Sequence, residues 1–255
     1  MKASNARLKD VRRLSRRSER SERRLFLADG LNAVEAALES GCVEEVFAVP
    51  GRDHLVPGLP DGVPLTWVEE RALELLSDSV TPAGVVALCR YVDVPVADAV
   101  AGARLVAICA DVRDPGNAGT VLRCADAAGA DGVVLAGSSV DAYNPKTVRA
   151  SVGSLFHLPV AVEPSAEAAV RAARDAGLTV LAADGAGELD LYDAGPVLVG
   201  RTAWLFGNEA WGLPDELAAL ADHRVRIPIH GRAESLNLST AAALCLYESA
   251  RAQRA

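Results

Sequence analysis

From residue 104 onward the chain repeats one pattern: five or six mostly apolar residues, a polar loop, then a helical stretch. The apolar runs are LVAICA (105–110), GVVLAG (132–137), HLPVAV (157–162), LTVLAA (178–183) and TAWLF (202–206). Most of their positions are apolar without alternation, as expected of strands buried on both faces. Strands of that kind separated by helices make a parallel sheet covered on each side. Helical patterns fill the gaps at 118–129, 145–152, 166–176 and 214–220, and RVRIPI (224–229) adds a strand. Hydrophobic residues make up 50% of the chain but aromatic ones only 4%, which favours an α/β protein over an all-β one.

Residues 25–95 alternate in the same way on a smaller scale. Strands are expected at 24–28, 43–49, 63–68 and 84–90. Helices are expected at 29–40, ended by Gly41, and at 69–76. The stretch 92–102, VDVPVADAVAG, reads as a linker. The expected division is therefore a basic arm (1–24), a small α/β domain (25–95) and a parallel-sheet domain (103–255). Net charge is −8, yet residues 1–24 hold ten Lys or Arg against three acidic residues. The arm carries +7 and the rest −15. A basic arm on an acidic body suits an anionic partner, nucleic acid first; the plainer reading is a solubilising helix. Beyond Leu8, Val11 and Leu14 the arm has little apolar periodicity, and the sequence leaves open whether it orders alone or only against a partner or polyanion.

The five cysteines, Cys42, Cys89, Cys109, Cys124 and Cys245, form no CxxC and sit largely in apolar segments. They read as small buried residues of a reducing compartment. The four histidines are dispersed, and no metal site is expected. No apolar run reaches membrane-spanning length, and the basic N-terminus lacks an apolar signal core. A cytoplasmic protein with no membrane partner is the expectation.

In a parallel sheet, ligands bind beyond the carboxyl ends of the strands, so the chemistry is sought in the loops. The first, DVRDPGNAGTVLR (111–123), turns at Asp114-Pro115-Gly116. Asn117 is a plausible helix N-cap, and Arg123 in the second turn can grip a phosphate or pair with Asp126. The second, Asp184-Gly185-Ala186-Gly187, lacks the third glycine of a dinucleotide fingerprint and opens no helix in a first βαβ unit, so a plain glycine turn is favoured. The third, GNEAWGLP (207–214), places Asn208 and Glu209 directly after an apolar strand. The last, 226–248, joins an extended Ile227-Pro228-Ile229 to a polar loop. A helix follows, its apolar face formed by Leu238, Ala241, Ala242 and Cys245 and its start capped by Ser235 or Asn237. Taken alone, this last stretch is an ordinary capped C-terminal helix.

Taken together, DPGNAGTVLRCA, LFGNEAWGLP and IPIHGRAESLNLSTAAALCLYE resemble, in order, the three signature motifs of the SpoU/TrmH RNA methyltransferases of the SPOUT superfamily. ASVGSLFHLPV (150–160) is similar to that family as well. RRLFLADGLNAVEAALESG resembles the family's small RNA-substrate-binding domain. The resemblance implies an α/β chain whose C-terminal SPOUT domain carries a deep trefoil knot. It implies S-adenosyl-L-methionine as methyl donor, no metal, a homodimer whose sites use both subunits, and methyl transfer to a ribose 2′-hydroxyl of structured RNA. Ribosomal RNA is favoured over transfer RNA; a non-catalytic RNA-binding protein with a vestigial pocket is the reading from another class. Under this resemblance the cofactor site comprises Ala183, Gly207, Asn208, Glu209, Ile227, Ile229 and Leu236, and the catalytic set Asn117, Arg123, Glu209, Ser235 and Asn237. RNA is expected on Arg12, Arg13, Arg16, Arg17, Arg20, Arg23 and Arg24. Similar enzymes are proposed to use the arginine at the position of Arg123 as a base. A guanidinium stays protonated at any relevant pH, so the expected role is to bind the target's phosphate and stabilise the developing alkoxide.

Overall fold

The computed structural model describes residues 1–51 and 59–254. In chain order the elements are α1 (Ala6–Arg12), α2 (Arg17–Arg23), β1 (Leu25–Asp29), α3 (Leu31–Glu39), β2 (Val43–Ala48), β3 (Leu65–Trp67), α4 (Glu70–Glu74), β4 (Val85–Arg90), α5 (Val96–Val100), β5 (Leu105–Ala110) and α6 (Pro115–Ala128). Then come β6 (Gly132–Ala136), α7 (Pro145–Ser151), β7 (Val160–Glu163), α8 (Ala166–Asp175), β8 (Thr179–Ala183), β9 (Leu189–Asp190), α9 (Gly195–Leu198), β10 (Thr202–Phe206), α10 (Asp215–Ala218), β11 (His223–Arg226) and α11 (Leu238–Arg254). They form two compact units, one of residues 1–92 and 141–157, the other of 93–140 and 158–255.

The first unit is built on a four-stranded sheet in the order β1-β4-β2-β3, with β4 antiparallel to both neighbours and β3 parallel to β2. The N-terminal segment, set apart from the small domain in the sequence reading, belongs to this unit's core. Leu8, Val11 and Leu14 are buried among Phe47, Leu73, Val86 and Leu88. Their spacing puts all three on one stripe, and one stripe suffices to cover part of a sheet face. Arg20 is the second correction. It is only 2% exposed. Its guanidinium donates to Asp141 Oδ2 at 3.0 and 2.6 Å and to the carbonyls of Leu14 and Ser15 at 2.8 and 2.9 Å. Residues 141–157, expected in the large domain, thus belong with this unit. Tyr143 gives a further reason: its ring lies 4.6 Å from that of Phe26 and 3.6 Å from that of Tyr91.

The second unit holds a seven-stranded sheet in the order β7-β6-β5-β10-β8-β11-β9, parallel throughout. Every residue of β6, β5 and β10 is buried, whereas β7, β11 and β9 toward the edges are partly open. The unbroken apolar runs follow from this, since central strands are covered on both faces. The expected linker is not one. It contains α5, with Ala99 and Val100 buried, and Val94 bridges Ala161 of β7. Its small apolar residues cover the sheet rather than tether it.

The strand order decides where the chemistry can sit. Because β10 and β8 lie between β5 and β11, four loops that are far apart in sequence leave neighbouring strand ends. They begin at Asp111, Asp184, Gly207 and Ile227.

Candidate active site

Three of those loops, with the start of α11, enclose a cavity of about 290 Å³, and the Asp111 loop abuts it through Glu209. Ala183, Gly207, Asn208, Glu209, Ile227, Ile229 and Leu236 all line it, as does Ser235. Asp184, Gly185, Phe206, Glu234, Leu238 and Ala241 also line it and are absent from the expected set. Asp184 and Gly185 carry the one usable signal, a loop directly after an apolar strand. The loop is also the glycine turn expected of it, with Gly187 N–H donating to the Asp184 carbonyl at 2.9 Å. A Cβ at Gly187 would lie 2.7 Å from the Arg224 carbonyl, so glycine is what lets β11 pass close by.

The 207–213 loop is closed by its own backbone. Asn208 and Gly212 exchange N–H···O bonds of 2.9 Å in both directions. A Cβ on Gly207 would meet the Gly212 carbonyl carbon at 2.3 Å and the Leu213 nitrogen at 2.5 Å. Asn208 is buried and spends its side chain on structure: Nδ2 donates to the Asp111 carbonyl at 2.7 Å and Oδ1 accepts from Ala210 N–H at 2.8 Å. The Asp111 backbone at the end of β5 has φ +56°, a conformation few non-glycine residues hold without external support. Asn208 supplies part of that support. The Asp111 carboxylate supplies another part, accepting Ser138 N–H at 2.7 Å.

Glu209 heads a polar chain. Its carboxylate accepts the backbone N–H groups of Arg113 and Asp114, both at 3.0 Å, and Asn117 Nδ2 at 3.2 Å. Burial pushes its pKa up, but the backbone donors and Asn117 outweigh burial and hold it below the ordinary glutamate range. Glu209 is therefore ionised and acceptor-only at neutral pH. Asn117 Oδ1 in turn accepts from Asn237 Nδ2 at 3.0 Å. Asn237 Oδ1 then caps α11, accepting Ser239 N–H at 2.9 Å and Ser239 Oγ at 2.6 Å. The three loop motifs are thus wired in sequence, Glu209 to Asn117 to Asn237.

One expectation changes here. Asn117 is not the cap of α6. Asp114 is, its Oδ1 accepting Asn117 N–H at 2.8 Å, with Pro115 in the first turn. This frees the Asn117 side chain to bridge Glu209 and Asn237. Arg123 is exposed on α6 and is not among the residues that line the cavity.

The lining suits an adenosine with a charged tail. Phe206, Ile227, Leu236 and Leu238 give apolar walls, and Asp184, Glu209 and Glu234 supply negative charge for a cationic centre. Gly207 lets main chain approach. Cys109 at the end of β5 is no competing nucleophile: burial and the Glu209 charge push its pKa up to about 12. Among the described residues no group of three or more His, Cys, Asp or Glu is placed to hold a metal ion.

Residues 5–87 match the model of the MRM3-like substrate binding domain. Over 249 residues the chain is 34% identical to the 23S rRNA (guanosine(2553)-2′-O)-methyltransferase RlmP of Bacillus subtilis, spanning 96% of both proteins. It superposes on the S-adenosylmethionine-bound rRNA methyltransferase of Sinorhizobium meliloti with a TM-score of 0.85 at 36% identity, covering 97% of this chain and 95% of that one. For the SpoU methyltransferase AviRb of Streptomyces viridochromogenes, solved with S-adenosylmethionine, the values are 0.84 and 32%, with 97% of each chain covered. Residues 104–247, which supply the whole cavity, match the SpoU rRNA Methylase family, and the chain belongs to that family.

Proposed function

We propose that the protein transfers a methyl group from S-adenosylmethionine to a ribose 2′-hydroxyl of ribosomal RNA. The observation that carries this reading is the unbroken chain Glu209–Asn117–Asn237 beside a cavity suited to the cofactor. A vestigial pocket has no reason to keep a relay drawn from three separate loops. Ribosomal rather than transfer RNA is favoured because a relative matched over 96% of its length, first domain included, is named for 23S rRNA.

When bound, the cofactor supplies an activated methyl group on a sulfonium, so the transfer calls for neither a metal nor a covalent enzyme intermediate. The chain's own residues do the positioning, on which such a transfer depends. Gly207 and the apolar walls seat the adenosine. Glu209, ionised, fixes the 111–117 loop and with Asn117 and Asn237 shapes the place where the ribose enters. Ser235, exposed on the lining, faces the target nucleotide. Arg123 binds the target's phosphate and stabilises the developing alkoxide, while the proton leaves to phosphate or water. That Arg123 lies off its own cavity wall supports a role in the cavity of a second subunit, in a homodimer. The segment 226–248, from the end of β11 into α11, is the part tucked through a loop to close the trefoil knot implied for the fold. The reaction belongs in the cytoplasm, with ribosomal RNA; among the described residues no helix is long and apolar enough to cross a membrane.

The test is incubation with labelled S-adenosylmethionine and total RNA, followed by mapping of the labelled ribose. Label confined to transfer RNA, or carried on a base, would sink the proposal. Gly207→Ala is expected to weaken cofactor binding by roughly tenfold or more, a change of about 1.4 kcal/mol, because its Cβ has only backbone to displace. Titration calorimetry checks this.

RNA binding by the first unit is assigned to its exposed arginines. Arg12, Arg16 and Arg17 are exposed, while Arg13 is engaged by Glu19 and Arg23 by Asp10. Arg24 stacks on the Tyr91 ring at 4.6 Å. Each phosphate contact contributes about 0.7–0.9 to the salt slope of affinity. The triple variant Arg12→Ala, Arg16→Ala, Arg17→Ala is therefore expected to lower that slope by about 2 and leave the unfolding midpoint unchanged. A slope equal to wild type would remove these residues from the interface.

A further inference from the structure

We infer that Trp211 is a stacking platform for an unpaired RNA base beside the cofactor cavity, an inference that rests on the RNA methyltransferase reading above. Trp211 is 60% exposed, while Trp204 on the preceding strand is fully buried. Solvating an indole forgoes most of the free energy its burial would bring, so an exposed one beside a reaction site calls for a partner.

The loop leaves Trp211 no inward alternative. Its interior is filled by its own backbone, with Gly207 packed on Gly212 and Leu213 so closely that not even a Cβ fits. The paired bonds between Asn208 and Gly212, and the bond from Ala210 N–H to Asn208 Oδ1, fix both sides of the tip. Ala210 and Gly212 line the cavity, and Trp211 between them does not. The backbone that carries the indole is therefore rigidly supported beside the cavity.

Position identifies the ligand class. Trp211 follows Glu209 by two residues, a chain length of at most about 7 Å. Glu209 sits at the head of the relay where the ribose is placed, so Trp211 stands about one nucleoside away. A base has two π-faces whatever its sequence, and stacking on an aromatic side chain is a general way to hold single-stranded RNA. The platform takes the base of the target nucleotide or of its immediate neighbour and presents the 2′-hydroxyl to the cavity.

Two measurements on the full chain test this. The first is methylation of deproteinised total ribosomal RNA at saturating S-adenosylmethionine by wild type, Trp211→Ala and Trp211→Phe. In Trp211→Ala the KM for RNA is expected to rise about tenfold, the scale of one lost base stack, with kcat little changed. Trp211→Phe restores most of the loss, and calorimetry finds the same cofactor affinity in all three. The second is tryptophan fluorescence with a single-stranded RNA of about twelve nucleotides as probe, within the site sizes of single-strand binders. Wild type is quenched and Trp211→Phe loses that component. An unchanged KM in Trp211→Ala, a fall in cofactor affinity, or a changed sedimentation mass would overturn the inference, the last by assigning Trp211 to a protein contact. The quench needs no methyl transfer, so a wild type that is quenched through Trp211 but methylates no RNA upholds the platform and defeats the enzymatic reading alone.

Discussion

An Arg123→Ala protein is expected to lose methyl transfer by about a hundredfold or more while binding S-adenosylmethionine as tightly as wild type. The size follows from removing a fixed positive group from a developing oxyanion, which costs about 10²–10³ in turnover in comparable sites. The unchanged cofactor affinity follows from geometry, since Arg123 is exposed on α6 and does not line the cavity. Arg123→Lys is expected to recover little, because an ammonium cannot reproduce the planar fork that grips a phosphate. Co-expression supplies a sharper test. Arg123→Ala and Asn237→Ala are each expected to be inactive alone. If Arg123 acts in the partner's cavity, mixed dimers contain one intact site and regain part of the activity. Mixtures that stay inactive would return Arg123 to its own subunit or remove it from the reaction.

The second large effect concerns Arg20, and it is an effect on folding. Arg20→Ala leaves Asp141 Oδ2 without the two donors Arg20 supplies, with Oδ1 keeping Tyr143 N–H, and takes the Arg20 donor from the carbonyls of Leu14 and Ser15. Breaking one partner of a buried pair costs about 3–5 kcal/mol, a large fraction of the stability of an ordinary domain. Chemical denaturation is expected to reveal this as an early loss of the first unit. An Arg20→Ala protein of wild-type midpoint, weakened only in RNA binding, would restore the reading of Arg20 as an interface residue. The contrast with Arg16 and Arg17 is the useful part: neighbours of identical chemistry divide into structure and surface according to what lies above them.

That division marks the limit of what residue type conveys. Ten basic residues in the first 24 announce an anionic partner, but not which guanidinium is spent on the fold. Leu8, Val11 and Leu14 are legible as a sparse stripe, yet whether a stripe is buried depends on a sheet face built from residues 25–90. The same holds for 92–102 and 141–157. Sequence position assigns each to the elements around it, and contacts reassign both: α5 and Val94 to the large sheet, Tyr143 and Asp141 to the small one.

At the site, the apolar runs determine the parallel sheet, because a strand buried on both faces reads as a near-continuous apolar run. The loop after each run is therefore a candidate for chemistry on sequence grounds alone. The three motifs, through Asn117, Asn208, Glu209, Ser235 and Asn237, name much of the site. What only the tertiary structure decided is connectivity in space. Strand order brings loops 184, 207 and 227 around one cavity, and hydrogen bonds join Glu209 to Asn117 and Asn117 to Asn237 across 92 and 120 residues of chain. It also decided that Asp114 caps α6 in place of Asn117, and that Arg20 is buried while Trp211 is not. Periodicity and residue type report what one segment prefers. Which groups meet is set by how separate segments pack, and no single segment encodes that.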